Sequence, residues 1–333
     1  MRPALLLTVL PFATAVHHMQ AYPRPLQPRQ NNGGTTLKIS NLCPNDIYPA
    51  ILSQGGTGPS TQGFLLNSGS NRNLSVSTDW QGRVWGRSNC SFTSSGTRDP
   101  SSNLPNGMAC STGDCAGALD CKVTGQTPVT LAEFTLDGGQ SQDFYDISMV
   151  DGYNLPMAIL FDAPAGSNID PSTTNPSCVG SAGNAALQNF DPYNTGSQTF
   201  LGTDSSNPLP FEIKNTVPQI GKWCPWDLQT NPPSAPGDGV YPYPDGNINR
   251  PLYNPCFSAC AKYGSPSYCC TGQYDGSGKC SPNYYSKAAK SVCPDAYSYA
   301  YDDQDSTFIT PTGGNYEVVF CPGGRSTTII SSK

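Results

Sequence analysis

The residues that could perform chemistry in this chain are its carboxylates. The sequence of 333 residues contains two histidines, His17 and His18, which lie side by side near the amino terminus. The rest of the chain therefore cannot build a Ser-His-Asp or Cys-His catalytic group, or a zinc site that uses histidine. Any catalysis must come from aspartate and glutamate, which act as acid and base when their surroundings separate their pKa values.

Cysteine is the other residue type that defines the chain. All fourteen cysteines lie between Cys43 and Cys321, in a sequence that contains 34 glycines and 32 prolines. An even number of cysteines spread through a Gly/Pro-rich chain indicates a disulfide framework. We therefore expect every cysteine to be bridged and none to carry a free thiol.

The amino-terminal residues predict secretion. Arg2 precedes a short apolar run at 4–13, and Ala13-Thr14-Ala15 fits a cleavage site, so residues 1–15 are predicted to be a signal peptide. The apolar run is too short to span a bilayer. Residues 16–35 are expected to be an unstructured arm or a processed pro-segment. The mature protein is expected to be secreted, in the extracellular space or the cell wall, where disulfides persist.

Composition argues against two classes of partner. The formal charge is −6, and only 13% of the residues are charged. An acidic and weakly charged chain is a poor match for nucleic acid or for an anionic membrane surface. We expect no membrane span, no cofactor and no metal, and we expect a monomer.

Short alternating segments predict an all-β core. They are separated by Gly, Pro, Asn and Ser, a pattern typical of a β-sandwich or barrel. Helices are predicted at Phe257–Tyr263, before Gly264, and at Pro282–Val292, before Pro294. Residues 181–255 are rich in Asn, Pro, Gly and Ser and are predicted to be mostly loop or insertion. The predicted strands are Thr36–Ser40, Asp46–Leu52, Asn73–Val76, Arg83–Arg87, Val129–Leu136, Asp143–Met149, Met157–Phe161 and Tyr316–Phe320.

Several motifs occur in the order typical of one protein family. They are Arg83-Val84-Trp85-Gly86-Arg87, Cys110-Ser111-Thr112-Gly113-Asp114-Cys115 followed by Cys121, Thr130-Leu131-Ala132-Glu133-Phe134, Asp143-Phe144-Tyr145-Asp146-Ile147-Ser148, Val150-Asp151-Gly152-Tyr153-Asn154-Leu155-Pro156, Tyr268-Cys269-Cys270 and Pro294-Asp295-Ala296-Tyr297-Ser298-Tyr299. The chain resembles the thaumatin-like family, the group of thaumatin, osmotin and their relatives. The resemblance covers roughly residues 36–165 and 256–322.

The resemblance implies a flattened antiparallel β-sandwich flanked by two disulfide-rich lobes, with one or two short helices. The thaumatin-like domain would span 36–322, with a core of about 36–90, 131–180 and 294–322, a small lobe at 91–130 and a larger lobe at 181–293. One of the family's usual bridges is absent, because neither of its cysteines is present. The implied pairs are Cys43–Cys321, Cys90–Cys110, Cys115–Cys121, Cys178–Cys293, Cys224–Cys256, Cys260–Cys269 and Cys270–Cys280.

Family members hold a cleft, often acidic, between the core and the larger lobe. The residue types that line it in relatives occur here at the matching positions, which are Arg83, Glu133, Asp146, Asp151 and Asp303. Taken singly, each carboxylate could be a solvated or turn residue, and 302–305 could be an acidic loop or a weak calcium site. Their joint presence favours a shared cleft. Carboxylates packed together repel, which raises at least one pKa, while an arginine favours the ionised form of its nearest neighbour.

By resemblance, Glu133 would be the general acid and Asp151 the base or nucleophile of a glycoside hydrolase that acts on β-1,3-glucan. The other three residues would position this pair and the sugar. Alternation along a strand separates Asp146 from Asp151, so the turn at Gly152 must redirect the chain. We expect Glu133 to be the more shielded of the pair. We also expect a gap of about 6.5–9.5 Å between the two carboxyl groups, which is the spacing of an inverting enzyme.

The sequence also contains a candidate sugar-stacking residue and two candidate glycosylation sites. Tyr153, beside Asp151, is the best candidate for an aromatic platform on which a sugar ring could stack. Two sequons predict N-glycosylation at Asn73 and Asn89. The second sequon contains Cys90, which is expected to be bridged, so Asn73 is the stronger candidate.

Two other functions remain open. The protein could be a non-catalytic antifungal or defence protein that uses the cleft to hold glucan, another wall polysaccharide or a membrane receptor. It could instead be an inhibitor directed at a hydrolase, as some family members are. The insertion within 181–255 looks more like that of fungal relatives, so remodelling of the producer's own wall competes with antifungal defence.

Overall fold

A computed structural model describes residues 34–180, 213, 223–230, 255–322 and 326–333. The predicted signal peptide, nearly all of the predicted arm at 16–35 and most of the predicted loop at 181–255 lie outside these ranges. Within the ranges, none of the helices has the length and apolar character needed to cross a bilayer.

Strands make up most of the regular structure. Eight of them match the predicted strands in place and order, with bounds that differ by a few residues. The three others, β5, β9 and β10, are too short for strand alternation to show in the sequence. The strands are β1 (Thr35–Asn41), β2 (Tyr48–Gly55), β3 (Asn71–Val76), β4 (Gln81–Cys90), β5 (Cys110–Thr112), β6 (Leu131–Gly139), β7 (Gln142–Ser148), β8 (Met157–Asp162), β9 (Ser177–Cys178), β10 (Phe308–Pro311) and β11 (Asn315–Phe320).

The strands form two sheets. One has the order β3-β1-β11-β8-β9, and the other has the order β10-β7-β6-β4-β2, with β5 paired to β4. Every pair is antiparallel except β1 with β11, which run parallel. The predicted all-β sandwich is therefore confirmed, with one parallel pair that joins the two ends of the domain.

One hydrophobic core lies between the sheets. Tyr316 of β11 contacts Phe134 of β6 and Tyr145 of β7, with ring centroids 5.4 and 5.3 Å apart. Trp80 and Phe308 extend this aromatic cluster, and all five side chains are buried. Because side chains alternate along a strand, the chain neighbours of Phe134 and Tyr145 must point to the outer face of the six-stranded sheet.

Residues 91–130, the predicted small lobe, cover one end of that outer face. Trp85 of β4 donates from Nε1 to the carbonyl of Gly113 at 2.8 Å. Arg87, two residues further on and fully buried, donates to the carbonyls of Ala118 and Leu119 at 2.8 and 2.6 Å. These bonds fasten the lobe to the sheet, because buried carbonyl groups need a partner. Arg83, two positions before Trp85 on the same face of β4, lies next to this covered end.

The helices lie in the predicted larger lobe. Ser258 accepts a hydrogen bond from the amide of Ala261, and Gly264 ends the helix with a φ of 62°, the left-handed conformation that glycine adopts readily. Asn283 accepts a hydrogen bond from the amide of Ser286 at the start of the longest helix. The two predicted helices are thus present but start two residues later than predicted. The helices are α1 (Ala259–Tyr263), α2 (Pro266–Cys269) and α3 (Tyr284–Val292). Short 3-10 turns occur at Pro105–Gly107, Pro171–Thr173, Trp226–Leu228, Gly272–Tyr274, Asp303–Asp305 and Ile330–Ser332.

Seven disulfides cross-link the chain, between the same cysteines as the resemblance implies. Cys43–Cys321 spans 278 residues and ties the beginning of the sandwich to its end. In the chain-entropy treatment, closing a loop of this length stabilises the fold by on the order of 5 kcal/mol. Cys178–Cys293 spans 115 residues and joins β9 to the end of α3. The second bridge therefore ties the larger lobe to the sandwich, whose hydrophobic core also includes Tyr285 and Val292 of α3.

We expect a thiol titration of the denatured, unreduced protein to read close to zero, because all fourteen cysteines are paired. Reduction in denaturant, followed by removal of the reductant, should raise the titre to the full cysteine content. One or more reactive thiols per chain without reductant would contradict the pairing.

Candidate active site

Three charged side chains lie in one row across the outer face of the six-stranded sheet. Arg83 on β4 is directly opposite Glu133 on β6, and Glu133 is directly opposite Asp146 on β7. Directly opposed residues of antiparallel strands share a face, with Cβ atoms about 4.5–5.5 Å apart. We call these three residues the cross-strand row. Three of the five predicted cleft residues are thus consecutive neighbours.

The cross-strand row is buried. Arg83, Glu133 and Asp146 are 6%, 7% and 1% exposed. Arg83 Nη2 lies 3.4 Å from Glu133 Oε1, and this ion pair offsets part of the cost of removing both charges from water. Arg83 Nε and Asp146 Oδ1 are buried and have no hydrogen-bond partner among the described residues. Such atoms are uncommon in folded proteins and point to a ligand or an ordered water.

Asp146 has a perturbed ionisation. Burial raises its pKa well above the usual range of aspartate, and the nearby charge of Glu133 raises it further. Arg83 acts in the opposite direction, and Asp303 adds to the increase. The sequence predicts a raised pKa on at least one carboxyl group of the cluster, and burial raises the pKa of Asp146.

Asp303 reaches the cross-strand row from the 3-10 turn Asp303–Asp305. Tyr297 donates its hydroxyl to Asp303 Oδ1 at 3.0 Å and shares a hydrogen bond of 2.5 Å with the hydroxyl of Thr307. The amide of Tyr297 donates to the carbonyl of Ile147, the residue after Asp146, at 2.8 Å, so Tyr297 links Asp303 to β7. Asp303 is exposed, unlike the row itself.

Tyr297 is a residue of the site that the sequence analysis does not assign. It belongs to the quoted motif 294–299, so its position in the family pattern is visible in the sequence. Nothing in the motif says that its hydroxyl binds Asp303, since that contact depends on how the chain turns between the two residues. In the sequence, the motif at 294–299 is therefore the one sign that Tyr297 belongs to the candidate site.

The neighbouring Asp302 has a structural role. It accepts hydrogen bonds from the amide and the hydroxyl of Ser298 at 2.9 and 2.8 Å. It also lies 3.2 Å from Lys290 Nζ, which attaches this acidic segment to α3. Within the described ranges, no group of three or more histidine, cysteine, aspartate or glutamate side chains could hold a metal ion.

Asp151 lies on the turn that follows β7. Gly152 has a φ of +104°, and a Cβ added there would lie 2.5 Å from the carbonyl oxygen of Cys256. Only glycine avoids that backbone contact, so the redirection of the chain that the sequence predicts depends on Gly152.

The turn directs Asp151 toward the larger lobe. Tyr285 on α3 donates its hydroxyl to the carbonyl of Met149, two residues before Asp151, at 2.6 Å. Burial raises the pKa of Tyr285, and the charge of Asp151 raises it further. Asp151 is half-buried, whereas Glu133 is buried. Glu133 is therefore more shielded from solvent than Asp151, as the sequence predicts.

The prediction that Tyr153 stacks on a sugar is wrong. Its side chain is 1% exposed, its hydroxyl accepts a hydrogen bond from the amide of Gly180 at 3.0 Å, and its ring meets the ring of Trp223 edge-on at 5.6 Å. A ring enclosed in this way has no free face for a ligand. The sequence places Tyr153 beside Asp151 but does not show that the Gly152 turn sends it inward.

Both sequon asparagines are exposed. Asn73 lies on β3, where its side chain points away from the core. Asn89 lies near the end of β4 and donates from Nδ2 to the hydroxyl of Ser111 at 2.6 Å. Exposure is the structural requirement for N-glycosylation, which stays a prediction for both residues.

The fold and the site together define a disulfide-rich β-sandwich with a buried row of charges on one sheet. The sequence matches the model of the Thaumatin family over residues 41–322, and the chain belongs to that family. It is 38% identical over 288 residues to "Thaumatin-like protein 1" of Pyrus pyrifolia, covering 85% of this chain and 89% of that protein. It is 35% identical over 290 residues to "Glucan endo-1,3-beta-glucosidase" of Prunus avium, covering 86% and 90%. A solved structure of the thaumatin-like xylanase inhibitor TLXI is 29% identical, covers 38% of this chain and 75% of that one, and has a TM-score of 0.30.

We expect Arg83→Met to lower the free energy of unfolding by about 3 kcal/mol or more, because the substitution leaves buried carboxyl groups without their cation. Denaturant unfolding at neutral pH measures the loss. The matched control is Lys38→Met, which removes the partner of Glu317 in an ion pair whose side chains are 38% and 23% exposed. That change should cost less than about 1 kcal/mol. Equal losses in the two variants would contradict the view that the cross-strand row depends on Arg83.

Proposed function

We propose that this protein binds β-1,3-glucan beside the cross-strand row and hydrolyses it internally. The observation that carries the proposal is the cross-strand row of Arg83, Glu133 and Asp146, together with the effect of the Asp303 charge on Asp146. Clustered carboxyl groups with divergent surroundings are the requirement for acid and base roles at one pH. The relative from Prunus avium that is named a glucan endo-1,3-beta-glucosidase supports the choice of substrate.

Glu133 is the proposed general acid and Asp151 the proposed base. Glu133 gives its proton to the glycosidic oxygen as the bond between that oxygen and the anomeric carbon breaks. Asp151 removes a proton from a water molecule whose oxygen bonds to the anomeric carbon from the opposite face. The products are a new reducing end and a free sugar hydroxyl, and exchange with solvent restores both carboxyl groups. The half-buried position of Asp151 suits contact with water.

Glucan binding without hydrolysis is the second candidate. The observation that favours it is the ion pair of Glu133 with Arg83, together with the 7% exposure of Glu133. An ionised carboxylate accepts hydrogen bonds and can hold sugar hydroxyls, whereas a general acid must carry a proton. Under this reading the same residues orient sugar hydroxyls and no bond is broken.

The proposed setting is outside the cell. Seven disulfides fit an oxidising, extracellular environment. The proposed substrate is a wall polysaccharide, so the protein would act in remodelling of a cell wall or in antifungal defence.

The test of hydrolysis is the release of reducing ends from laminarin, a soluble β-1,3-glucan. We expect Glu133→Gln to lower kcat by about 10²-fold or more, because glutamine cannot donate a proton to the leaving oxygen. Glu317→Gln is the matched control, since Glu317 lies on β11 of the other sheet, and it should keep the wild-type rate.

A pull-down on insoluble β-1,3-glucan separates the two candidates. Binding with no release of reducing ends by the wild-type protein establishes the second candidate and removes the first. Absence of both binding and release removes both. Equal rates for wild type and Glu133→Gln would show that Glu133 is not the acid.

A further inference from the structure

One helix of the larger lobe contacts the turns that carry two of the candidate site residues. Asp151 and Asp303 both lie on short turns outside the sheets, unlike the three residues of the cross-strand row. A carboxyl group on a turn keeps a fixed position only where the turn itself is held in place. The contacts that α3 makes with these two turns therefore bear on the geometry of the site.

Tyr285 of α3 holds the turn of Asp151. The carbonyl of Met149 accepts a hydrogen bond from the amide of Gly152 at 2.9 Å, which closes a four-residue turn with Asp151 at its third position. The hydroxyl of Tyr285 donates to the same carbonyl at 2.6 Å. Because Tyr285 is buried, its hydroxyl needs a partner inside the protein, and the backbone of this turn provides one.

Lys290, further along the same helix, holds the turn of Asp303. Its Nζ lies 3.2 Å from Asp302 Oδ2 and donates to Ser306 Oγ and to the carbonyl of Asp305, at 2.7 and 3.1 Å. The amide of Asp305 closes the turn on the carbonyl of Asp302 at 3.2 Å. The ammonium group therefore binds the chain on both sides of Asp303.

The helix α3 is itself fixed at both ends and along one face. Asn283 caps its first turn, and Cys293, directly after its last residue, is bridged to Cys178 of β9. The face that packs into the hydrophobic core consists of Tyr285, Ala289 and Val292. A helix held in this way is a rigid support for the side chains that extend from it.

We propose that α3 positions Asp151 and Asp303 relative to each other, with Tyr285 and Lys290 as the positioning residues. Each of the two acts through the backbone turn that it binds, and neither touches the sugar. The consequence for glucan rests on the proposed function, in which Asp151 is the base and Asp303 helps to position the sugar. The hold on the two turns does not rest on it.

The first experiment measures amide hydrogen exchange by mass spectrometry, without glucan, in segments 149–153 and 302–307. We expect Lys290→Met to speed exchange in 302–307 by about tenfold and to leave 149–153 unchanged, because the ammonium group binds the second turn. Tyr285→Phe should have the reverse effect. The matched control is Lys287→Met, which removes an exposed charge from the same helix and should change neither segment.

This crossed pattern separates positioning from a general loss of stability. A variant that only destabilises the fold would speed exchange in both segments alike. Lys290→Arg keeps a cation with several hydrogen-bond donors, so it should restore part of the protection in 302–307. Equal acceleration of both segments, no acceleration in either variant, or the same acceleration in Lys287→Met would overturn the proposal.

Exchange in the wild-type protein decides the question if neither variant folds. A support must open no more often than the turns that it holds, so the amides of α3 should be at least as protected as those of the two turns. A helix that exchanges faster than both turns would overturn the proposal.

The second experiment follows the release of reducing ends from laminarin. We expect Lys290→Met to raise KM about fivefold or more with little change in kcat, because Asp303 is proposed to hold the sugar. Tyr285→Phe should lower kcat by a similar factor with little change in KM, since it displaces the proposed base. A loss of kcat alone in both variants would indicate a smaller folded fraction and would count against positioning.

The two experiments fail in different ways. If the wild type releases no reducing ends, the proposed hydrolysis fails, and the exchange measurements still decide whether α3 holds the two turns. If the wild type hydrolyses laminarin and the exchange pattern is not crossed, the role of α3 fails and the hydrolysis stands.

Discussion

Antiparallel pairing of β4, β6 and β7 sets Arg83, Glu133 and Asp146 directly opposite one another on the face of the sheet that points away from the core. A slip of one residue in any of these strands would exchange its two faces. The aromatic core opposes such a slip, because Phe134 and Tyr145, the chain neighbours of Glu133 and Asp146, are buried against Tyr316. The apolar face of the sheet thereby determines where its charges lie.

Burying this row has a cost that other parts of the molecule offset. Removing a guanidinium and two carboxyl groups from water is unfavourable, and one ion pair recovers only part of the loss. The aromatic core and the long bridge between Cys43 and Cys321 contribute in the opposite direction. The small lobe at 91–130 contains one short strand and one 3-10 turn, so it depends on its disulfide loops and on contacts such as those of Arg87 with the carbonyls of Ala118 and Leu119.

Strand positions could be predicted, and candidate site residues could be nominated, because both leave a local signal. Alternation marks β6 and β7, and the motifs mark Glu133, Asp146 and Asp151. The burial of Tyr153 could not be predicted from the sequence. It depends on the direction in which the Gly152 turn sends the chain and on contact with Trp223, seventy residues away in sequence. The perturbed ionisation of Asp146 also depends on tertiary contacts, because burial and the approach of Asp303 cause it. Sequence therefore nominates the members of the candidate site, and packing decides which of them lie together.

The most direct test of the cross-strand row as a sugar site is a crystal structure of the Asp151→Asn variant soaked with a linear β-1,3-linked oligosaccharide. The substitution removes the proposed base, so the sugar should remain intact. We expect the chain to lie beside Glu133 and Asp303, with one glycosidic oxygen within about 3 Å of the Glu133 carboxyl group. A sugar bound away from these residues, or no bound sugar at saturating concentration, would contradict the assignment of this row as the binding site.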